Sequence, residues 1–330
     1  MYRNGLIGFI VAIGTLASPL PVSAQQKMPV VGFLTSGKVS ALNKSWAAAF
    51  HSGLAQAGYV DGQNVKVEYR EAADQYDRLP ALAADLVQAQ VTVIVAAGGP
   101  VSAIAARRAT DTVPIVFTTI ADPVKSGLVD GMSRPGGNVT GTAGLTSELD
   151  PKRLELLHQI KPSAQVFGAL VNPNRPGVEA QSRELQASAQ AIGKPLIIEN
   201  AGPSPGHDLE AAFAKLAAQK IEALVVTADP FFNFRRKQVI ALAASYRIPA
   251  IYQWREFVED GGLVSYGPSI AEAYKQAGLY AGQIIKGARP ANLPVIQPTK
   301  FELVINQRTA KALGIEIPPL MLARATEVTE

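Results

Sequence analysis

The chain has 330 residues, no cysteine and a formal charge of +4, with 48% apolar and 18% charged residues. That is material for two cores of ordinary domain size, roughly 100–150 residues each. It excludes disulfides, thiol catalysis and thiolate metal sites, and a mild basic balance without interleaved aromatics argues against a nucleic-acid partner.

The N-terminus carries an export pattern. Arg3 supplies a positive start, Leu6–Ala17 is apolar, and Val22-Ser23-Ala24 is a small-residue cleavage site. This predicts a signal peptide over residues 1–24, cleaved after Ala24, and a periplasmic mature protein beginning at Gln25. Pro19 and Pro21 interrupt the apolar stretch, which falls short of the ~20 residues a membrane-spanning helix needs. Cleavage removes only Arg3 among the charged residues and leaves +3.

Beyond it, strand and helix patterns alternate. The first lobe opens with a strand at Val30–Leu34, then a helix over about Asn43–Ala57 with Trp46, Phe50 and Leu54 on one face. Val65–Arg70 alternates as a strand, Leu79–Gln88 is helical, and Val91–Ala97 is a continuous apolar run suited to a strand buried on both faces. A helix over Val101–Ala109 and a strand over Ile115–Thr119 follow. Arg134–Asn138 is dense in turn residues, and Val139–Thr142 is the extended piece that takes the chain out of the lobe. The second lobe opens with a helix at Lys152–Ile160 and repeats the alternation to Gln253. PVVGFL (29–34) answers AQVFGALV (164–171), VTVIVAAG (91–98) answers IEALVVTAD (221–229), and VPIVFT (113–118) answers IPAIYQ (248–253). A strand at Gly261–Ser265, a helix at Ile270–Lys286 and a strand at Phe301–Ile305 remain. So long a tail predicts further crossings between the lobes and a hinge of several strands.

The expected fold is α/β: two similar doubly wound parallel-sheet lobes joined by a multi-crossover hinge, with right-handed crossovers. Lobe 1 is placed at 25–141 with completion by about 256–295, and lobe 2 at 142–255 with completion by about 296–330. Ligands of open α/β sheets sit at the carboxyl ends of strands. The candidate ligand-binding residues are therefore Thr35, Ser36, Gly98, Gly99, Thr118, Thr119, Asp122, Asn172, Asp229, Phe231, Tyr252 and Trp254. The glycine turn at Gly98-Gly99 bares backbone N–H groups ahead of a helix, a setting for a carboxylate. Asp122 and Asp229 offer charge to an ammonium group, but both precede proline and equally suit a turn opening. Gly141, inside an extended piece, is the favoured hinge glycine.

Catalysis finds little support. His51, His158 and His207 show no metal-ligand spacing, and the Walker, Rossmann and serine-elbow motifs are missing. No cofactor or metal is expected. Arg235-Arg236-Lys237 reads as a solvated helix face.

The stretches VPIVFTTIADPVKSGLV (113–129), RPGGNVTGT (134–142), IPAIYQWREFVEDGGLVSYGPS (248–269) and QPTKFELVINQRTAKALGIEIPPLMLARATEV (297–328) resemble the tryptophan-binding-type family of ABC-transporter substrate-binding proteins. The resemblance implies a type I periplasmic binding fold and capture of a small solute for an inner-membrane permease, with no activity as an enzyme. It places the first crossover at Asn138, Thr140 and Gly141, with Phe117-Thr118 beside it at the pocket. Relatives often carry Gly-Thr-Pro where this chain has Gly98-Gly99-Pro100. The expected ligand is an amino acid or aromatic carboxylate, and the expected state a monomer. A periplasmic sensor module is the alternative, with a periplasmic hydrolase using Asp122 or Asp229 behind it.

Overall fold

The computed structural model describes Met1, residues 28–38 and residues 44–330. Residues 2–24 of the expected signal peptide, and Asn43 at the expected start of the first helix, lie outside the described residues.

The chain first forms β1 (Val30–Thr35), α1 (Lys44–Gln56), β2 (Lys66–Glu71), α2 (Leu79–Gln88), β3 (Val93–Ala97), α3 (Pro100–Ala109), β4 (Ile115–Thr119) and β5 (Val139–Ala143). It continues through α4 (Asp150–Ile160), β6 (Phe167–Val171), α5 (Val178–Ala191), β7 (Leu196–Asn200), α6 (Leu209–Ala218) and β8 (Ala223–Val226). Then come α7 (Pro230–Phe234), α8 (Arg236–Ser245), β9 (Ala250–Tyr252), α9 (Arg255–Glu259) and β10 (Val264–Gly267). The tail forms α10 (Ile270–Ile285), β11 (Glu302–Asn306), α11 (Gln307–Leu313), α12 (Pro319–Arg324) and β12 (Glu327–Thr329).

Two sheets result. The first has the order β2-β1-β3-β4-β5, all parallel, and the second the order β12-β11-β10-β9-β8-β6-β7. The run β7-β6-β8-β9-β10 repeats the first sheet's order, so the internal echo in the sequence is an echo in topology. The strands β3 and β4 are buried on both faces, which is why their apolar runs are unbroken. In α2 the buried residues Leu79, Ala83 and Leu86 fall on one face, as an amphipathic helix over a sheet requires. Asp208 starts α6 by accepting from Ala211 N at 2.8 Å.

The tail serves both lobes. Helix α10 packs along α1 of the first lobe. A Cβ on Gly278 would lie 2.1 Å from Phe50 O, and one on Gly53 1.8 Å from Lys275 O, so this crossing depends on bare backbone in both helices. Residues 256–267, expected to complete the first lobe, instead carry α9 and β10, and β10 pairs with β9 in the second sheet. Strand β11 pairs with β10 antiparallel, a departure from the all-parallel expectation. The reason is the path: β10 leads out of the second lobe, α10 covers the first, and β11 leads back in.

Candidate functional site: an aromatic cavity between the lobes

The chain passes between the lobes after β5, after β10 and again ahead of β11. The first passage begins at Gly144 and Leu145, past the residues named for it from sequence. Thr140 and Gly141 lie inside β5, paired with Val116 and Phe117. Asn138 sits at the amino end of β5, where its Nδ2 donates to Val113 O at 2.7 Å, away from the carboxyl ends that face the cleft. Thr140 Oγ1 donates to Leu293 O at 2.7 Å, and Ile296 N donates to Gly141 O at 3.0 Å, so β5 holds the returning tail.

At the carboxyl ends of the strands lies a cavity of about 150 Å³. Trp46, Phe234, Trp254 and Tyr274 form its aromatic walls, and Thr118, Thr119, Thr142 and Asn233 supply polar groups. The amino ends of α3, at Gly99, and of α10, at Ser269, also reach it. Among the described lining residues there is no Lys or Arg; the one carboxylate, Glu272, is largely exposed and lies 4.0 Å from Lys275 Nζ. An anionic group here would therefore rest on hydroxyls, amides and the positive ends of helices. Two buried groups of lining residues, Trp254 Nε1 and Thr142 Oγ1, have no hydrogen-bond partner.

Of the candidates chosen from sequence, Gly98, Gly99, Thr118, Thr119 and Trp254 line this cavity. Thr35 and Ser36 stand behind it: Ser36 Oγ donates to Gly98 O at 2.7 Å and fixes the glycine turn. Asp122 makes a turn, its Oδ1 accepting from Val124 N at 2.9 Å and Lys125 N at 3.2 Å. Asp229 is buried off the wall, where its Oδ1 accepts from Phe231 N at 2.8 Å, capping α7, and from Asn172 Nδ2 at 2.9 Å. Burial pushes its carboxyl up to about 6, against the lowering by Asn172, Arg175 and the Phe231 N–H. Phe231 belongs to the second lobe's core, and so does Tyr252, stacked on Phe257 with centroids 4.7 Å apart.

Sequence reasoning missed Trp46, Phe234, Asn233 and Tyr274. Trp46 and Tyr274 sit on helix faces whose spacing is that of any core helix. In the expected solvated face Arg235-Arg236-Lys237, Arg235 and Lys237 are exposed, while Arg236 is half-buried. Arg235 pairs with Asp74 of the first lobe at 3.1 Å, and Arg236 bonds Asp260 at 2.6 Å and lies over the Trp46 ring, 5.8 Å from its centroid.

A model of the ABC transporter substrate binding protein family matches residues 40–329. The chain belongs to that family. It is thus a substrate-binding protein for ABC transport, from a family of binders rather than enzymes. A tyrosine-binding protein of Clostridioides difficile is 30% identical over 267 residues, covering 81% of this binding protein and 76% of that one. An ABC domain from Streptococcus pneumoniae in complex with L-Trp is 26% identical with TM-score 0.79, covering 92% of this chain and all of the other. A ligand-free, open substrate-binding protein with adhesive properties from Clostridium difficile is 25% identical with TM-score 0.63, covering 92% of this chain and 99% of that one. The two α/β lobes of this binding protein have the type I periplasmic binding arrangement.

Proposed function

We propose that this protein captures an amino acid with an aromatic side chain in the cavity between its lobes and delivers it to an inner-membrane ABC permease. The carrying observation is the cavity itself, with four aromatic walls, no basic side chain among its described lining residues, and two helix amino ends for a carboxylate. The relatives named for tyrosine and L-Trp support the same class of ligand. Pockets of this make-up gain most of their affinity from flat apolar walls and their orientation from a few polar groups. In this reading the protein is exported, cut after Ala24, and acts as a periplasmic monomer.

The mechanism is a population shift. Walls come from both lobes, Trp46 and Tyr274 from the first and Phe234 and Trp254 from the second. A ligand touches all of them only when the lobes are closed, so it favours that state by the difference in its affinity for the two. The permease would then read the closed form.

The test uses the mature chain and L-tyrosine. The protein has two tryptophans, and both line the cavity, so binding should change intrinsic fluorescence as well as release heat. At 100 times its Kd, L-tyrosine should add about 2.7 kcal/mol of stability. If L-tyrosine, L-tryptophan, L-phenylalanine and simple aromatic carboxylates all leave fluorescence, heat and melting temperature unchanged, the reading fails.

A further inference from the structure

Trp46 is both a wall of the cavity and the point at which the second lobe grips the first. Tyr274, on α10 of its own lobe, stacks beside it with ring centroids 5.8 Å apart. From the second lobe, Arg236 covers the ring at 5.8 Å, and Glu256 on α9 accepts from Trp46 Nε1 at 2.6 Å. Trp46 is 1% exposed and Glu256 4%. A buried carboxylate is costly unless it is hydrogen-bonded, and Glu256 Oε2 has no partner. Burial raises the carboxyl of Glu256, while the Trp46 N–H and the charge of Arg236 lower it and Glu259 raises it. The bond from Trp46 is thus a main support for an otherwise poorly placed group, and it crosses the cleft. Opening the lobes would break it and carry Arg236 off the ring.

We infer that Glu256 is a positioning residue for ligand capture: through the indole N–H of Trp46 it locks a ligand-contacting wall to the opposite lobe, so that wall placement and lobe closure are one event. The inference rests on the reading of a two-lobed protein that closes on its ligand, but its primary readouts need no ligand.

The experiment uses the 15N-labelled mature chain, with its two indole N–H resonances assigned through Trp254→Phe, and solution scattering on the same samples. In the parent, the Trp46 indole proton should be shifted downfield and protected from exchange. Glu256→Ala should move it to the position of a free indole and enlarge the radius of gyration. Glu256→Gln, which keeps a carbonyl acceptor, should stay compact. Trp46→Phe keeps a flat aromatic wall but loses the N–H together with part of the ring; it should expand the protein as Glu256→Ala does, and the double variant should expand it no further than Trp46→Phe. With L-tyrosine as probe, the alanine variant should bind about tenfold or more weakly, as expected for a lost charge-assisted hydrogen bond. Trp46→Phe reads the same bond from the other side should Glu256→Ala fail to fold. The inference is overturned if the resonance and radius ignore Glu256→Ala, if folded Glu256→Gln is as expanded as Glu256→Ala, or if the two single changes add. Failure of L-tyrosine to bind the parent would sink the ligand reading alone and leave the indole and scattering results to decide this one.

Discussion

Gly99 of the first lobe rests on Pro230 of the second: a Cβ on Gly99 would lie 2.5 Å from Pro230 Cγ. The contact is one of a series made by the segment that follows β8. Phe234 lies where a Cβ of Gly37 would be, 2.2 Å from the nearest ring atom, and Arg235 pairs with Asp74. Asn172, which holds Asp229, also reaches Tyr76 of the first lobe, at 3.4 Å. The second lobe thus presents Asp229–Arg236 as a tooth, and the first receives it with bare glycine backbone.

Gly99→Ala should therefore hold the lobes apart. The added Cβ cannot share space with the Pro230 ring, and overpacking of this kind costs about 1–3 kcal/mol. Gly99 also has φ +90°, a backbone conformation that costs other residues about 1–3 kcal/mol. Scattering should show a larger radius with ligand than the parent has, and calorimetry at least tenfold weaker binding. Pro230→Ala in the same chain should restore part of the closure, because it relieves the packing but not the strain. A Gly99→Ala protein that closes like the parent would show that this contact lies off the closing path.

Much of the fold was legible because burial on both faces writes itself as apolar runs. Leu79–Gln88 and Ile115–Thr119 have the same bounds in the structure as in the sequence reading. The path of the tail was not legible: whether β10 joins one sheet or the other depends on what it packs against, and its own residues alternate the same way in either place. The cavity was half legible. Strand ends pointed to Gly98, Gly99, Thr118, Thr119 and Trp254 by topology alone. Trp46 and Tyr274 could not be told from core residues, since a helix face turned to a cleft and one turned to a sheet share a period. Asp229 had two readings, and the structure gives it the turn: it caps α7.

Arg153 should prove essential to the second lobe's stability. Its guanidinium is wholly buried, donating through Nη1 to Thr146 O at 2.9 Å and to Asp150, and through Nε to Tyr266 O at 2.8 Å. Thr146 follows the first passage between the lobes and Tyr266 precedes the second, so one side chain fastens both to α4. Arg153→Met leaves Asp150 buried without its counter-charge, a change that costs about 3–5 kcal/mol. The urea midpoint should fall accordingly. Adding Asp150→Asn should recover part of the loss; if the double variant is weaker than the single by a further full increment, the two residues are not acting as a pair.

Gly141 belongs to the first lobe's integrity rather than to bending. A Cβ there would lie 2.1 Å from Phe117 O and 2.6 Å from Phe117 N, inside the β4–β5 ladder. Gly141→Val should therefore break the pairing of β5 and unfold the first lobe at lower temperature, by several kcal/mol, before any effect on closure can be read. Circular dichroism melting and hydrogen exchange at Val116–Thr118 would show it. A variant that melts like the parent but shifts between open and closed would return Gly141 to the hinge.

Asp229→Asn should make the protein more stable at neutral pH and flatten part of its pH dependence. The carboxyl of Asp229 rises from 3.8 to about 6 in the folded protein, because burial disfavours its charged form more than Asn172, Arg175 and the Phe231 N–H favour it. Between those two values the folded chain holds a proton that the unfolded chain has released. Stability therefore falls as pH rises through that window, by about 2–3 kcal/mol. Below about pH 4 both states are protonated and the group has no effect; above about pH 6 both are ionised and the deficit is constant. Asparagine keeps an oxygen to accept from Phe231 N and Asn172 Nδ2, so the α7 cap survives, but it cannot ionise. Urea midpoints at pH 4, 5, 6 and 7 should show the variant drawing ahead of the parent up to pH 6 and holding its lead beyond. A parent–variant difference that stays flat across the series would mean that Asp229 ionises in the folded protein as easily as in the unfolded chain, and that the burial seen between the lobes is relieved in solution.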